Sequence, residues 1–290
     1  MKTPKKVSYV GGSPMVSMGP IRLKQPLPNH GVRQVDPFLL LHHYGPYDIN
    51  PESNPFDLGP HPHRGFEPIT LLYKGEQRHR DSLGNESIVK AGDVQWTTAG
   101  RGVIHSEGPT KAFVEKGGAL EGIQLWLNLP KSKKMMPANY QHVKAEEMPV
   151  VTNEDGSIIL KVVAGNQKGH EGLIVTQTPV NVFMLEAEVG GELEIDIPEN
   201  HKASVYLLDG EVEINDEVNL VQGKKQFVAF EAGGEGIKLV SKVPSRVLIL
   251  SGEPFDEPVA QYGPYVMNTQ TELMEAMRDF QQGKMGYLEY

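Results

Sequence analysis

Apolar residues along this chain come in short runs and not in the long stripes that a helix requires. Pro68-Ile69-Thr70-Leu71-Leu72-Tyr73, Ser87-Ile88-Val89, Val94-Gln95-Trp96-Thr97 and Ile123-Gln124-Leu125-Trp126-Leu127 each have the length and composition of a strand. Turn-forming residues separate them at Lys74-Gly75, Ser82-Leu83-Gly84-Asn85 and Ala91-Gly92-Asp93. A second series follows residue 150, with Val182-Phe183-Met184-Leu185-Glu186, Leu193-Glu194-Ile195-Asp196, Ala203-Ser204-Val205-Tyr206-Leu207-Leu208 and Arg246-Val247-Leu248-Ile249-Leu250. The pattern predicts an all-β protein built as a sandwich or barrel.

The two series read as one motif used twice. Ile69-Thr70-Leu71-Leu72-Tyr73-Lys74-Gly75-Glu76 resembles Ser204-Val205-Tyr206-Leu207-Leu208-Asp209-Gly210-Glu211, a shift of about 135 residues, and Gly92-Asp93-Val94-Gln95-Trp96 resembles Gly223-Lys224-Lys225-Gln226-Phe227, a shift of about 131. Two domains are therefore expected, at 1–135 and 136–290. The Lys- and Pro-rich stretch 131–149 is the expected linker, with Lys131, Lys133 and Lys134 read as solvated loop residues. One segment is clearly helical. Thr269 and Glu272 form a capping box, Leu273, Met277 and Phe280 make an apolar stripe, and Gly283 is placed to end the helix. This short C-terminal helix is assigned to the second domain, its stripe packed on a barrel.

Charge narrows the partners. Lys plus Arg number 28 against 37 Asp plus Glu, a net charge of -9. An acidic surface disfavours non-specific nucleic-acid binding, and no DNA-binding motif is visible. No window is long and apolar enough to span a bilayer, and the N-terminus has no apolar stretch of signal-peptide length, so a cytoplasmic protein is expected. There is no cysteine, so any metal must be held by nitrogen and oxygen.

Those donors are dense in one region. Six of the ten histidines (His42, His43, His61, His63, His79 and His105) lie between residues 42 and 105. In a strand, residues i and i+2 share a face, so His61 and His63 present two imidazoles to one point, and Pro62 between them limits the freedom lost in organising the pair. His105 and Glu107 have the same spacing. Two such pairs on facing strands would supply three nitrogens and a carboxylate, a relative of the two-histidine, one-carboxylate iron site, with positions left open. Glu67 is a weaker candidate for ligand or base, and a role supporting the ligands or pairing strands is preferred for it. Arg64 and Arg101 are placed to orient Glu107 or an anionic substrate, with surface exposure an equal alternative. For Gln124 and Trp126 the expected role is core packing, with pocket lining second.

The sequence resembles the pirin family of the cupin superfamily, in its bacterial form. The resemblance rests on Val35-Asp36-Pro37-Phe38-Leu39-Leu40-Leu41, HPHRGFEPIT at 61–70, TTAGRGVIHSE at 97–107, EGIQLWLNLP at 121–130 and QYGPYVMNT at 261–269. It implies a bicupin, two antiparallel jelly-roll barrels, with one divalent metal per chain in the N-terminal one. The family's ligand positions fall on His61, His63, His105 and Glu107. Fe(II) is the implied metal, and Zn, Ni, Cu or Mn suit the same donors. His42 and His43 depart from the family, where Asp followed by His or Glu is common. Two functions are implied. One is quercetin 2,3-dioxygenase activity, in which dioxygen opens a flavonol ring and carbon monoxide leaves, with Glu107 as base. The other is an iron- or redox-dependent regulator acting through a protein partner. By the offsets above, the second-half counterparts of His61, His63 and Glu67 are Asp196, Pro198 and Lys202, and those of His105 and Glu107 are Gly236 and Lys238. That set cannot replace the ligands, so the second barrel is expected to be metal-free, with His201 in an exposed turn.

Overall fold

The computed structural model describes residues 2–289 and divides into two compact units. The first contains Val16–Leu23, Leu40–Ala145 and the chain from Phe255 onward, and the second contains the chain up to Met15, Lys24–Leu39 and Glu146–Pro254. In the first, a four-stranded sheet runs in the order Leu58–His63, Val103–Pro109, Glu76–Asp81, Glu86–Lys90. A seven-stranded sheet runs Asn139–Val143, Val94–Thr98, Phe66–Lys74, Gly118–Asn128, Phe38–Ile49, Ile21–Leu27, Met15–Met18. The second repeats this plan. Its small sheet is Glu192–Asp196, Gly236–Ser241, Glu211–Ile214, Val218–Val221, and its large one begins Val7–Gly11, Phe227–Phe230, Lys202–Asp209, Ser245–Gly252. The all-β, two-barrel expectation is met.

The units are not the contiguous halves 1–135 and 136–290. Val7–Gly11 pairs antiparallel with Phe227–Phe230, so the chain's first strand completes the second barrel. Lys5 anchors it: its buried ammonium donates to the carbonyls of Glu199 (3.3 Å), His201 (2.8 Å) and Gly233 (3.2 Å). A sheet edge accepts any strand that satisfies its hydrogen bonds, whatever its place in the chain. The C-terminal helix Gln270–Gln281 likewise belongs to the first unit, not the second. Its capping box on Thr269 and Glu272 is formed. Leu273 and Ala276 are its buried residues, packed with Ile104, Tyr265, Met267 and Met285, while Phe280 is 37% exposed and lies off the expected stripe. Among the described residues, no helix is long and apolar enough to cross a membrane.

Two charged positions expected in solvent are buried. Lys134 is 1% exposed, and its ammonium donates to the carbonyl of Gly65 (2.7 Å), Oδ1 of Asn128 (2.6 Å) and the carbonyl of Val266 (3.1 Å). Three acceptors match its three donors, and burial lowers its pKa to about 8. His201 is 4% exposed, with Nδ1 3.1 Å from Oγ of Ser251.

The register also corrects the internal repeat. His61 pairs with His105 and Glu107 with His79 in the first small sheet, while Ile195 pairs with Ile237 and Ile214 with Leu239 in the second. Aligning the ladders places Ile195, Ile197, Ile237 and Leu239 at the positions of His61, His63, His105 and Glu107. The four assignments made from the offsets for the ligand positions are each wrong by one residue, which in a strand swaps the faces, whereas Lys202, opposite Gly252, does hold the position of Glu67, opposite Leu127. All four true counterparts are aliphatic, buried, and part of one cluster filling the second barrel.

Candidate metal centre

Three neighbouring strands of the small sheet build the site. Opposite His63 stands Val103, and opposite His61 stands His105; the ladder then slips by one residue between His105 and Glu107. This bulge, of the kind that re-aims side chains, lets Glu107 face Leu58 on one side and His79 on the other. The turn after His63 requires glycine. Gly65 has φ +86°, and a Cβ there would lie 2.0 Å from the carbonyl oxygen of Val266. The C-terminal segment is tied to the same turn, since Arg64 N donates to Pro264 O (3.4 Å) and Val266 N to Arg64 O (3.0 Å).

The imidazoles of His61, His63 and His105 converge, with one ligand atom from each lying within 4.8 Å of the others. Nε2 of His61 is 2.9 Å from Nε2 of His105. Nδ1 of His61 lies 2.8 Å from the carbonyl of Gly59, a bond it makes as donor, which leaves its Nε2 as a lone pair. Burial, followed by the neighbouring imidazoles, holds His63 and His105 well below the usual histidine pKa. Neutral rings with nitrogen lone pairs aimed at one point are the donor set a divalent cation takes up. The residues present fit a metal.

Glu107 stands slightly apart. It is buried and groups with His105 and His79, not with the three-imidazole set. Its Oε1 accepts from Oγ1 of Thr70 (3.2 Å) and from Nε2 of Gln95, which itself donates to Oγ1 of Thr70 (3.1 Å). His79 was counted among the clustered histidines but given no role from the sequence, although Gln77, His79 and Asp81 alternate into the barrel interior. Its ring stacks on Tyr140 at 4.3 Å and its Nε2 lies 3.2 Å from Oδ2 of Asp81.

The other candidates resolve as follows. Glu67 is fully buried and accepts from Nε1 of Trp96 (3.0 Å) and Oγ1 of Thr98 (2.6 Å). It lies an odd number of residues from Thr70, hence on the opposite face of its strand. Burial raises its pKa to about 7 against those two hydrogen bonds. Arg64 does not orient Glu107. Its guanidinium is buried, donating Nε to the carbonyl of Arg101 (2.6 Å) and one terminal nitrogen to Asp279 (3.0 Å). The side chain of Arg101 is exposed. His43 is buried with Nε2 3.2 Å from Glu121, while His42, on the other face, borders a cavity and has its pKa lowered to about 4 by burial.

That cavity measures about 530 Å³ and opens directly on His61, His63 and Glu107. Its wall is mainly apolar, formed by Leu23, Leu40, Tyr44, Phe56, Leu58 and Trp126. Trp126 and Gln124 thus line a pocket and do not serve only as core.

Known proteins resemble this chain over most of its length. Residues 20–127 match the pirin family model and residues 182–286 match that of the pirin C-terminal cupin domain. A Pseudomonas aeruginosa protein whose name proposes quercetin 2,3-dioxygenase activity is 38% identical over 252 residues, 87% of each chain. The chain belongs to the pirin family. Mouse pirin is 33% identical over 269 residues, covering 92% of this chain and 88% of its own. A crystal structure of a quercetin 2,3-dioxygenase from Acinetobacter baumannii superimposes with a TM-score of 0.90 at 36% identity, covering 99% of this chain and all of the other. The pirin fold is the bicupin expected, and its His/Glu cluster lies in the N-terminal barrel.

Proposed function

We propose that this pirin is a metal-dependent dioxygenase that opens the central ring of a flavonol. The observation that carries the proposal is the apolar cavity of about 530 Å³ that opens on His61, His63 and Glu107, beside the point where the imidazoles of His61, His63 and His105 converge. A site that only senses redox state through a protein partner has no need of such a chamber, whereas small-molecule sites are commonly apolar clefts of this size with few polar groups.

The proposed ligands are His61, His63, His105 and Glu107, holding one divalent metal per chain, with Fe(II) as the working ion and Zn, Ni, Cu or Mn able to occupy the same donors. A bound metal supplies Lewis acidity and brings substrate and dioxygen together. The chain supplies the rest. The apolar wall admits a planar aromatic ring and excludes water from it. Glu107 takes the acidic hydroxyl proton of the flavonol, with Thr70 and Gln95 holding its Oε1 in place. Both atoms of dioxygen enter the ring-opened product, and one ring carbon leaves as carbon monoxide.

The test is anaerobic reconstitution with Fe(II), followed by oxygen uptake with and without quercetin. Flavonol-dependent uptake with matching release of carbon monoxide is expected. No uptake with any metal overturns the proposal and leaves the reading as a regulator that works through protein contacts.

A further inference from the structure

The strand Gly118–Asn128 sends Gln124 and Trp126 into the cavity, while Ile123, Leu125 and Leu127 are fully buried on its other face. Trp126 lies beside the metal group, its ring centroid 5.9 Å from that of His63. Gln124 is one strand repeat further along, about 7 Å, opposite Thr70 on the neighbouring strand.

Several polar groups around the cavity already have partners. Gln77 Oε1 accepts from the Tyr44 hydroxyl (3.0 Å), Nδ1 of His61 is taken by the Gly59 carbonyl, and Glu107 is held by Thr70 and Gln95. The amide of Gln124 makes no hydrogen bond among the described residues. It brings two donors and an acceptor to a mostly apolar wall. A position with only a packing role is filled at lower desolvation cost by leucine or methionine.

Taking the dioxygenase reading as its basis, we infer that Gln124 determines specificity by hydrogen bonding a phenolic hydroxyl of the substrate. The substrate class that follows is a planar polyphenol. Its oxygens at one end meet the imidazole group, its ring lies along Trp126, and a second hydroxyl sits about a ring's width away, at Gln124. A phenol both donates and accepts, so it can use either side of the amide.

Two flavonols identical except for one hydroxyl on the fused benzo ring provide the test. Each is titrated anaerobically into zinc-loaded protein while tryptophan emission is followed, since Trp126 forms part of the cavity wall. Wild type is expected to bind the hydroxylated flavonol about threefold to tenfold more tightly, the range of a neutral hydrogen bond. In Gln124→Leu the ratio falls to about one while affinity for the hydroxyl-free flavonol is kept, and Gln124→Met repeats the measurement should the leucine variant fold poorly. Preference retained in both variants overturns this inference alone, because flavonol binding itself would stand. Absence of saturable quenching by either flavonol in wild type overturns the dioxygenase reading and this inference with it.

Discussion

Metal-free protein should lose stability steeply on mild acidification, and His63 and His105 should account for a defined part of the loss. Both imidazoles are buried and held neutral by desolvation first and then by neighbouring imidazoles, His61 for His63, and His63, His61 and His79 for His105. In the unfolded chain each titrates near pH 6.5. A histidine whose folded pKa is depressed takes up its proton only on unfolding, so stability is highest above the unfolded pKa and falls as pH drops through it. Between pH 7.5 and 5.5 the pair then contributes a loss of up to about 3 kcal/mol. His42 and His201 shift in the same direction, and Glu67, raised to about 7, opposes them by gaining its proton in the folded state. These contributions cancel when wild type is compared with a His63→Ala, His105→Ala variant, both stripped with chelator. Urea unfolding at the two pH values supplies the numbers. The variant should be less stable at pH 7.5, because two buried side chains are truncated, yet its acid-induced loss should be smaller by up to about 3 kcal/mol. Equal losses in the two proteins would show that the imidazoles are not held neutral in the fold, and the argument for a cation site would fail with them.

Other outcomes follow from the same geometry. Metal content by elemental analysis should drop from one per chain to background in His61→Ala, His105→Ala, whose side chains include the Nε2 pair 2.9 Å apart. Glu107→Gln should keep part of the metal but lower flavonol turnover by about a hundredfold or more, the usual range for a lost general base. Gly65→Ala should lower the thermal midpoint by many degrees, since its Cβ would lie 2.0 Å from Val266 O and the backbone there has positive φ.

The strands and the two histidine pairs were legible because their signals are local, arising from alternation, turn residues and i, i+2 spacing. The reach of that reasoning ended where register and burial decide. Nothing in TTAGRGVIHSE announces the bulge between His105 and Glu107, so the sequence grouped Glu107 with three histidines, whereas the ladder sets it opposite His79. The repeat was real, but its offsets were read from neighbouring turns and missed by one residue, placing Asp196 and Gly236 where Ile195 and Ile237 belong. Arg64, Lys134 and His201 are charged or titratable, and sequence alone favours solvent for such residues. Each is buried because distant partners satisfy it: Asp279 for Arg64, Asn128 and two carbonyls for Lys134, and Ser251 for His201. Those partners lie up to 215 positions away, beyond any local pattern.

The location of the metal tests the whole account most directly. Anomalous diffraction at the absorption edge of the reconstituted ion should give a single peak per chain, about 2.0–2.2 Å from nitrogen atoms of His61, His63 and His105, with a carboxylate oxygen of Glu107 in the same shell and the apolar cavity open on the remaining side. A peak elsewhere, or a chain that takes up metal without density among those three imidazoles, would contradict it.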